Sequence, residues 1–190
     1  MLTRLRKSLA RLLGAMAYPF IALGVPPNYM TVSSLILCSL AAWLIAEGRL
    51  FYAFFPFALG SLLDALDGTV ARAEGKTTKF GAFLDSSLDR YSDGVVLSGF
   101  ALLYTSPLFR LVVLTAMMGS FLVSYSRARA EAMGVKMEGI GIGERAERLI
   151  LIAVGLAVPR VALSVLLILA IISNFTFLQR AHEAYLRLSA

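Results

Sequence analysis

The chain has 190 residues, of which 58% are hydrophobic and only 16% are charged, and its mean hydropathy is +0.77. Soluble domains average about 45–50% apolar and about 25% charged residues, so this composition excludes an ordinary soluble domain and indicates an integral membrane protein. The formal net charge of +6 lies mostly in short segments beside apolar runs. This pattern indicates contact with anionic membrane lipids, and we expect no nucleic-acid partner.

The start of the chain predicts an amphipathic helix that lies in the membrane interface. Basic residues fall on one side of this helix and leucines on the other, as is typical of interfacial helices. The basic residues are Arg4, Arg6, Lys7 and Arg11. The segment does not show the compact apolar core followed by a small-residue cleavage site that marks a signal peptide. We expect one domain over residues 1–190, with an interfacial helix and turn (1–27) before a transmembrane core (28–190).

Six apolar runs follow, and they predict six transmembrane helices. The runs are Thr31–Glu47, Phe51–Leu63, Phe80–Tyr104, Leu108–Ser126, Leu149–Val158 and Val161–Phe177. A spanning helix needs about 20 mostly apolar residues, so the second helix must continue to about Ala73 and the fifth must begin near Glu144. The predicted fold class is therefore all-α and integral to the membrane.

The distribution of positive charge predicts the orientation of these helices. Six spans place both termini on the same side of the membrane, and most Lys and Arg residues fall on that side. The opposite loops hold only Arg49, Arg110 and Arg160. Because cytoplasmic loops are enriched in Lys and Arg, we expect a multi-pass protein of the cell membrane with both termini and the active site facing the cytoplasm.

Four aspartates interrupt the second and third predicted helices: Asp64, Asp67, Asp85 and Asp89. At the helical spacing of 100° per residue, each pair shares a helix face with glycine or alanine. The loop between the two helices is short, so the two acidic stripes can face each other. An ionised carboxylate in the membrane interior costs roughly 2.5–3.5 kcal/mol on insertion scales. Four such residues therefore indicate a functional site.

The chemistry of the four carboxylates favours a hard divalent cation. Oxygen ligands converging from two helices suit Mg²⁺, Mn²⁺ or Ca²⁺, and the small residues beside them leave room for a large ligand. Mg²⁺ usually binds a few carboxylates together with substrate phosphates, and a pair of ions can bridge a diphosphate. The residues alone indicate metal-dependent phosphoryl transfer on a lipid at the cytoplasmic interface.

The spacing of these residues resembles the signature of the CDP-alcohol phosphotransferase family. The chain reads Asp64-x2-Asp67-Gly68-x2-Ala71-Arg72-x8-Gly81-x3-Asp85-x3-Asp89 and agrees with the signature at all eight fixed positions. The resemblance implies that a CDP-linked lipid donates its phosphatidyl-type group to an alcohol and that CMP leaves.

The resemblance also implies roles for individual residues. The implied ligands of two Mg²⁺ ions, with Mn²⁺ as an alternative, are Asp64, Asp67, Asp85 and Asp89. Asp89 is also the implied catalytic base, which takes the proton of the attacking hydroxyl. The implied contacts to the CDP-lipid are Asn28, Thr31, Asp64, Gly68, Ala71, Arg72 and Gly81. A homodimer is implied as well, for which the sequence offers close-packing residues at Gly94, Ser98, Gly99 and Gly119.

The stretch Ser124–Ile150 resembles the branch of this family that uses inositol phosphate as acceptor. It contains Ser-Tyr-Ser-Arg-Ala-Arg-Ala-Glu and, after a glycine-rich segment, Glu-Arg-Ala-Glu-Arg-Leu. Several guanidinium groups suit a phosphorylated acceptor, because arginine offers paired donors to a phosphate dianion. The candidate ligands of the acceptor phosphate are Arg127, Arg145, Arg148 and Arg180.

Other interpretations remain open from the sequence. Glycerol 3-phosphate carries a phosphate too, so the same arginines fit it, and a non-phosphorylated alcohol is a further alternative. A cation channel or proton-coupled transporter would also place acids in membrane helices, but it would distribute them across the membrane depth. The sequence does not distinguish CDP-diacylglycerol from CDP-archaeol as donor.

Overall fold

A computed structural model describes residues 2–137 and 139–189 of the chain, and the side chains of residues 2–11 lie outside this description. The described residues form seven α-helices and no strand. The helices are α1 (Leu2–Ala22), α2 (Pro27–Ala46), α3 (Leu50–Ala73), α4 (Lys79–Leu103), α5 (Pro107–Ala132), α6 (Arg145–Ala157) and α7 (Ala162–Leu188), with a 3₁₀ turn at Pro159–Val161. The predicted all-α class is confirmed.

Among the described residues, four helices are long and apolar enough to cross a membrane: α2, α3, α5 and α7 with the turn before it. Helix α6 has 13 residues, or about 20 Å at 1.5 Å per residue, which is shorter than the roughly 30 Å hydrocarbon core. Helix α4 is long enough, but Asp85, Asp89, Arg90 and Asp93 make it too polar. The chain is a membrane protein, and four spans meet the criterion where the apolar runs predict six.

The predicted N-terminal helix is present as α1. The basic face predicted for it falls on Arg4, Arg6, Lys7 and Arg11, whose side chains are outside the description. The second half of α1 packs against α3 through an apolar cluster that buries Ala17, Leu66 and Val70. This contact fixes α1 beside the C-terminal half of α3, which carries the first two acids.

The helix contacts close a ring in the order α2, α3, α6, α7, α5, α4 and back to α2. The main apolar core fills one end of this ring and contains Phe57, Leu97, Phe100, Leu156 and Leu169. In α3, the core residue Phe57 precedes the acids along the chain. In the antiparallel α4, the core residues Leu97 and Phe100 follow them. The acids therefore lie together at the opposite end of the bundle.

Three glycines that the sequence suggests for a dimer interface pack within the chain. A Cβ at Gly99 would lie 2.5 Å from the Ala42 carbonyl oxygen of α2, and one at Gly119 would lie 2.5 Å from Ser173 Oγ of α7. A Cβ at Gly94 would lie 2.9 Å from the ring of Phe121. These glycines therefore allow close helix packing inside one protomer and are not by themselves evidence for a dimer.

Candidate active site

The predicted acidic stripes of α3 and α4 face each other. Asp64, Asp67 and Asp85 each contribute one carboxylate oxygen to a cluster in which these atoms all lie within 4.8 Å of one another. The short turn between the helices makes this possible, and Gly75 in that turn has φ +65°, a conformation that glycine adopts at no steric cost. Asp67 is buried, and Asp64 and Asp85 are half-buried.

Thr31, in the first turns of α2, orients one member of this cluster. Its hydroxyl donates a 2.7 Å hydrogen bond to Asp67 Oδ2, and both side chains are buried. Such a bond fixes the direction in which a carboxylate presents its remaining lone pairs. The sequence resemblance assigns Thr31 to the nucleotide end of the donor, whereas this contact also places it directly behind a carboxylate of the cluster.

Asp89 lies one helical turn beyond Asp85 and is joined to the cluster through Arg145 of α6. Arg145 Nη1 lies 2.5 Å from Asp64 Oδ2 and 2.9 Å from Asp89 Oδ1. The guanidinium thus bridges an acid of α3 and an acid of α4. It supplies positive charge at a point where several carboxylates converge.

A groove of about 190 Å³ opens on one side of the carboxylates, between α2, α3 and α4. We call it the small-residue groove. Its lining includes six of the seven residues predicted to contact the CDP-lipid: Asn28, Thr31, Gly68, Ala71, Arg72 and Gly81. Asp67 and Asp85 also line the groove, while the seventh residue, Asp64, belongs with them to the carboxylate cluster.

The glycines of this groove let polar groups approach the helices. A Cβ at Gly68 would lie 3.3 Å from Arg72 Nη1, so the guanidinium of Arg72 rests over Gly68. At the start of α4, Gly81 N–H donates to Thr78 Oγ1 at 2.9 Å, and a Cβ at Gly81 would lie 3.0 Å from that oxygen. The groove therefore combines open space with polar groups at its rim.

A second cavity, of about 330 Å³, opens on the other side of Asp89. We call it the arginine cavity, because all four arginines predicted to bind the acceptor phosphate line it. Its charged lining residues are Asp89, Arg90, Arg127, Glu131, Glu144, Arg145, Arg148 and Arg180. Asp89 and Arg145 stand at the wall between this cavity and the carboxylate cluster.

The four arginines differ in how they are held. Arg148 and Arg180 are each 2% exposed. Arg148 donates to the Gly143 carbonyl at 2.9 Å, and Arg180 donates to the carbonyls of Ile140 and Val123 at 2.9 and 2.7 Å. These two side chains fix the glycine-rich loop between α5 and α6.

The other two cationic side chains are more accessible. The Arg127 side chain is 41% exposed and pairs with Glu131 one turn later, at 2.9 Å. Arg145 is half-buried against the acids. Arg127 and Arg145 therefore present guanidinium groups to the cavity, while Arg148 and Arg180 support its wall.

Asp93 is a site residue that the sequence reasoning missed. It is 7% exposed and lies near both Arg145 and Arg148. The signal was present, because Asp85, Asp89 and Asp93 follow each other at intervals of four and so share one face of α4.

The carboxylate cluster fits a divalent cation. It offers three closely spaced carboxylate oxygens, with Asp89 adjacent, and hard oxygen donors are the ligands that Mg²⁺ and Mn²⁺ prefer. The proximity of the Arg145 guanidinium shows that the cluster already accommodates positive charge. The fit rests on Asp64, Asp67 and Asp85, with Asp89 completing the donor set.

Comparison with known proteins agrees with this arrangement. A family model described as CDP-alcohol phosphatidyltransferase matches residues 25–183. The chain belongs to the CDP-alcohol phosphatidyltransferase family. The family resemblance predicted from the eight-position signature is thereby confirmed, and the protein is a transferase.

Two relatives of this transferase match over most of their length. The chain is 41% identical over 189 residues to archaetidylinositol phosphate synthase of Pyrococcus horikoshii, covering 99% of this chain and 98% of that protein. It is 34% identical over 188 residues to phosphatidylinositol phosphate synthase of Mycobacteroides abscessus, covering 93% and 85%.

Solved structures extend the likeness to the fold of the transferase. The phosphatidylinositol phosphate synthase of Mycobacterium tuberculosis with CDP-DAG bound has a TM-score of 0.81 at 31% identity, covering 92% of this chain and 94% of that chain. The same enzyme in complex with manganese and citrate has a TM-score of 0.82 at 31% identity, covering 91% and 88%.

Proposed function

We propose that this transferase moves a phosphatidyl- or archaetidyl-type group from a CDP-linked lipid to a hydroxyl of inositol phosphate, with release of CMP, in phospholipid biosynthesis. The observation that carries the proposal is the position of the carboxylates between two unlike cavities. One cavity is lined by several residues with little side chain, and the other is lined by five arginines. Such a pair suits a bulky nucleotide donor on one side and a phosphorylated acceptor on the other.

In this proposal, the small-residue groove takes the CDP end of the donor. Gly68, Ala71 and Gly81 leave space for the cytidine and diphosphate, and Arg72 and Asn28 offer polar groups at the rim. The crystal structure of the Mycobacterium tuberculosis relative contains CDP-DAG, which supports a CDP-lipid as donor. The lipid tails remain in the bilayer while the headgroup reacts.

The carboxylate cluster is the proposed site of two divalent ions, with Mg²⁺ preferred and Mn²⁺ as the alternative. The residues that would hold them are Asp64, Asp67, Asp85 and Asp89. When bound, such ions neutralise the diphosphate and stabilise the departing CMP. The relative in complex with manganese and citrate supports a divalent cation in this family.

Asp89 is the proposed catalytic base. It lines the arginine cavity and also adjoins the carboxylate cluster, so its carboxylate is placed between acceptor and donor. A base must lie within about one hydrogen-bond length of the proton it abstracts. Asp89 would take the proton of the attacking inositol hydroxyl as that oxygen bonds to the donor phosphorus and the bond from phosphorus to CMP breaks.

Arginine chemistry favours a phosphorylated acceptor. Arg127 and Arg145 present guanidinium groups to the arginine cavity, and guanidinium donors match the paired oxygens of a phosphate. Arg148 and Arg180 would act from the wall by keeping the loop after α5 in place. The relatives named archaetidylinositol phosphate synthase and phosphatidylinositol phosphate synthase support inositol phosphate as the acceptor.

The membrane arrangement belongs to the same proposal. We expect α2–α7 to form six spans of a single domain over residues 1–190, with α1 in the interface. The polar ends of α4 and α6 would then lie at the cytoplasmic surface together with both termini, as the positive-inside rule predicts. A homodimer is expected from the family resemblance.

The decisive experiment is an acceptor panel with the purified protein, Mg²⁺ and either CDP-diacylglycerol or CDP-archaeol. CMP release is measured with inositol phosphate, glycerol 3-phosphate, inositol and serine. We expect CMP release with inositol phosphate to exceed that with each other acceptor. Comparing the rates with the two donors then shows whether the enzyme uses CDP-diacylglycerol or CDP-archaeol. Preferential release with glycerol 3-phosphate or a non-phosphorylated alcohol would reject the proposed acceptor.

A further inference from the structure

Asp93 lies one helical turn beyond Asp89, outside the eight positions of the family signature. Its side chain is 8% exposed and stands between two arginines of the arginine cavity. Asp93 Oδ1 lies 3.6 Å from Arg145 Nε, and Asp93 Oδ2 lies 3.5 Å from Arg148 Nη2. Arg148 is also held by the Gly143 carbonyl, so Asp93 has a firm support on one side and a second cation on the other.

The contact between Asp93 and Arg145 is incomplete. Asp93 Oδ1 and Arg145 Nε are both buried, and neither finds a hydrogen-bond partner among the residues that the structure describes. Buried polar atoms without partners are unfavourable, and N–H···O hydrogen bonds usually measure about 2.9 Å. A small displacement of Arg145 towards Asp93 would form the missing bond.

What holds Arg145 away from Asp93 is its contact with two other acids. Its Nη1 lies 2.5 Å from Asp64 and 2.9 Å from Asp89. These are two of the carboxylates that fit a divalent cation. A cation and a guanidinium compete for the same oxygens, so Arg145 needs another acidic partner when the cation binds.

We propose that Asp93 is a positioning residue of the transfer reaction, which takes up the guanidinium of Arg145 when a divalent cation occupies Asp64 and Asp89. Arg145 stays at the wall of the arginine cavity in that position, but it is released from Asp64 and Asp89 and is available to the acceptor phosphate. Cation binding and acceptor binding are thereby coupled through one side chain. The acceptor part rests on the proposed function, whereas the exchange of Arg145 between acids does not.

The test measures Mn²⁺ binding to the full chain in detergent by calorimetry, without either substrate. We expect Asp93→Asn to weaken Mn²⁺ binding about tenfold, in the range for residues that act behind metal ligands, because Arg145 stays on Asp64 and Asp89. Adding Arg145→Gln to Asp93→Asn removes the competing guanidinium and restores the affinity.

The matched control is Asp93→Asn combined with Arg148→Gln. It has the same net charge as the Arg145 double variant, but Arg148 is held by the Gly143 carbonyl and is not paired with Asp64 or Asp89. Restored Mn²⁺ affinity in the Arg145 double variant, but not in the Arg148 double variant, supports the exchange. Equal restoration in both double variants would show that the effect depends only on net charge, and it would overturn the proposal. Unchanged Mn²⁺ affinity in Asp93→Asn would overturn it as well.

Folding does not obscure this test. Asp93→Asn leaves the buried Arg148 without its carboxylate, so the single variant is checked by size-exclusion chromatography. If it fails to fold, Asp93→Asn with Arg148→Gln becomes the reference, because it removes both members of the buried pair. Adding Arg145→Gln to that reference should then raise the Mn²⁺ affinity, and an unchanged affinity would overturn the proposal.

Steady-state kinetics of the active enzyme provide a second test. Asp93→Asn should raise KM for inositol phosphate several-fold while KM for the CDP-lipid stays the same, and Asp93→Glu should recover part of the loss. A rise in both KM values together would indicate a general loss of structure and count against the positioning role. Should the acceptor panel fail while the Mn²⁺ results hold, the acceptor assignment is wrong and the exchange stands.

Discussion

The small-residue groove and the arginine cavity share the carboxylates of α3 and α4 but are built from opposite kinds of residue. The groove is formed where side chains are absent, at Gly68 and Gly81, or small, at Ala71. The arginine cavity is formed by long cationic side chains, two of them buried and tied to backbone carbonyls. Under the proposed function, one site would select its ligand by space and the other by charge.

Because the two cavities are built from different residues, substitutions in one should change the KM of one substrate and leave that of the other unchanged. Filling the groove should affect the donor, and removing a guanidinium should affect the acceptor. Asp89 stands between the two cavities, so its substitution should lower kcat, which is measured with both substrates saturating.

The largest effect is expected at the junction of the two cavities. Asp89→Asn should lower kcat by about 10²–10⁴-fold, the usual contribution of a general base, with little change in either KM. CMP release under saturating substrates measures this loss, and circular dichroism verifies the helical fold. Turnover within a few-fold of the unsubstituted enzyme would show that Asp89 is not the base.

The next effect is expected in the small-residue groove. Ala71→Leu should raise KM for the CDP-lipid, since placing extra methyl groups in an occupied site costs about 1–3 kcal/mol, or roughly 5- to 160-fold. KM for inositol phosphate should not change. Ala73→Leu is the matched control, because Ala73 ends the same helix and is exposed. An equal effect of both substitutions would contradict a donor site in the groove.

The groove was the easier side to predict from sequence, because its determinants are local. The spacing of Asp64, Asp67 and Asp85 follows helix periodicity, and a short turn brings the two helices together. The 22 residues from Asp64 to Asp85 therefore contain most of the information. The number of spans was harder, since an apolar run such as Leu149–Val158 indicates burial but does not specify a length sufficient to cross the membrane.

The arginine cavity was predicted only in part. The residue types indicated a phosphate site, and the four arginines do line one cavity. That Arg148 and Arg180 are buried against carbonyl oxygens could not be predicted, because a backbone carbonyl has no sequence signature. Asp93 was missed because the family signature ends at Asp89, although the interval of four residues continues to it.

A smaller effect is expected behind the carboxylate cluster. Thr31→Val keeps the shape of the side chain but removes the hydroxyl that donates to Asp67. Substitutions of residues that orient metal ligands typically lower metal affinity about 10–100-fold, and calorimetry with Mn²⁺ measures the change. Thr31→Ser keeps the hydroxyl and should remain close to the unsubstituted protein. If serine and valine behave alike, the hydrogen bond does not matter for the cation.

The smallest effect is expected at Arg127. Its side chain is 41% exposed and paired with Glu131, so water screens its charge, and the low end of the range for a charge-assisted hydrogen bond applies, about 1.5 kcal/mol. Arg127→Gln should therefore raise KM for inositol phosphate about tenfold and leave KM for the CDP-lipid unchanged. Arg129→Gln is the matched control, because Arg129 is exposed on the same helix and does not line the cavity. Equal shifts for the two variants would mean that positive charge near the membrane surface attracts the acceptor without a defined phosphate site, and the contrast between a cavity that selects by charge and a groove that selects by space would no longer hold.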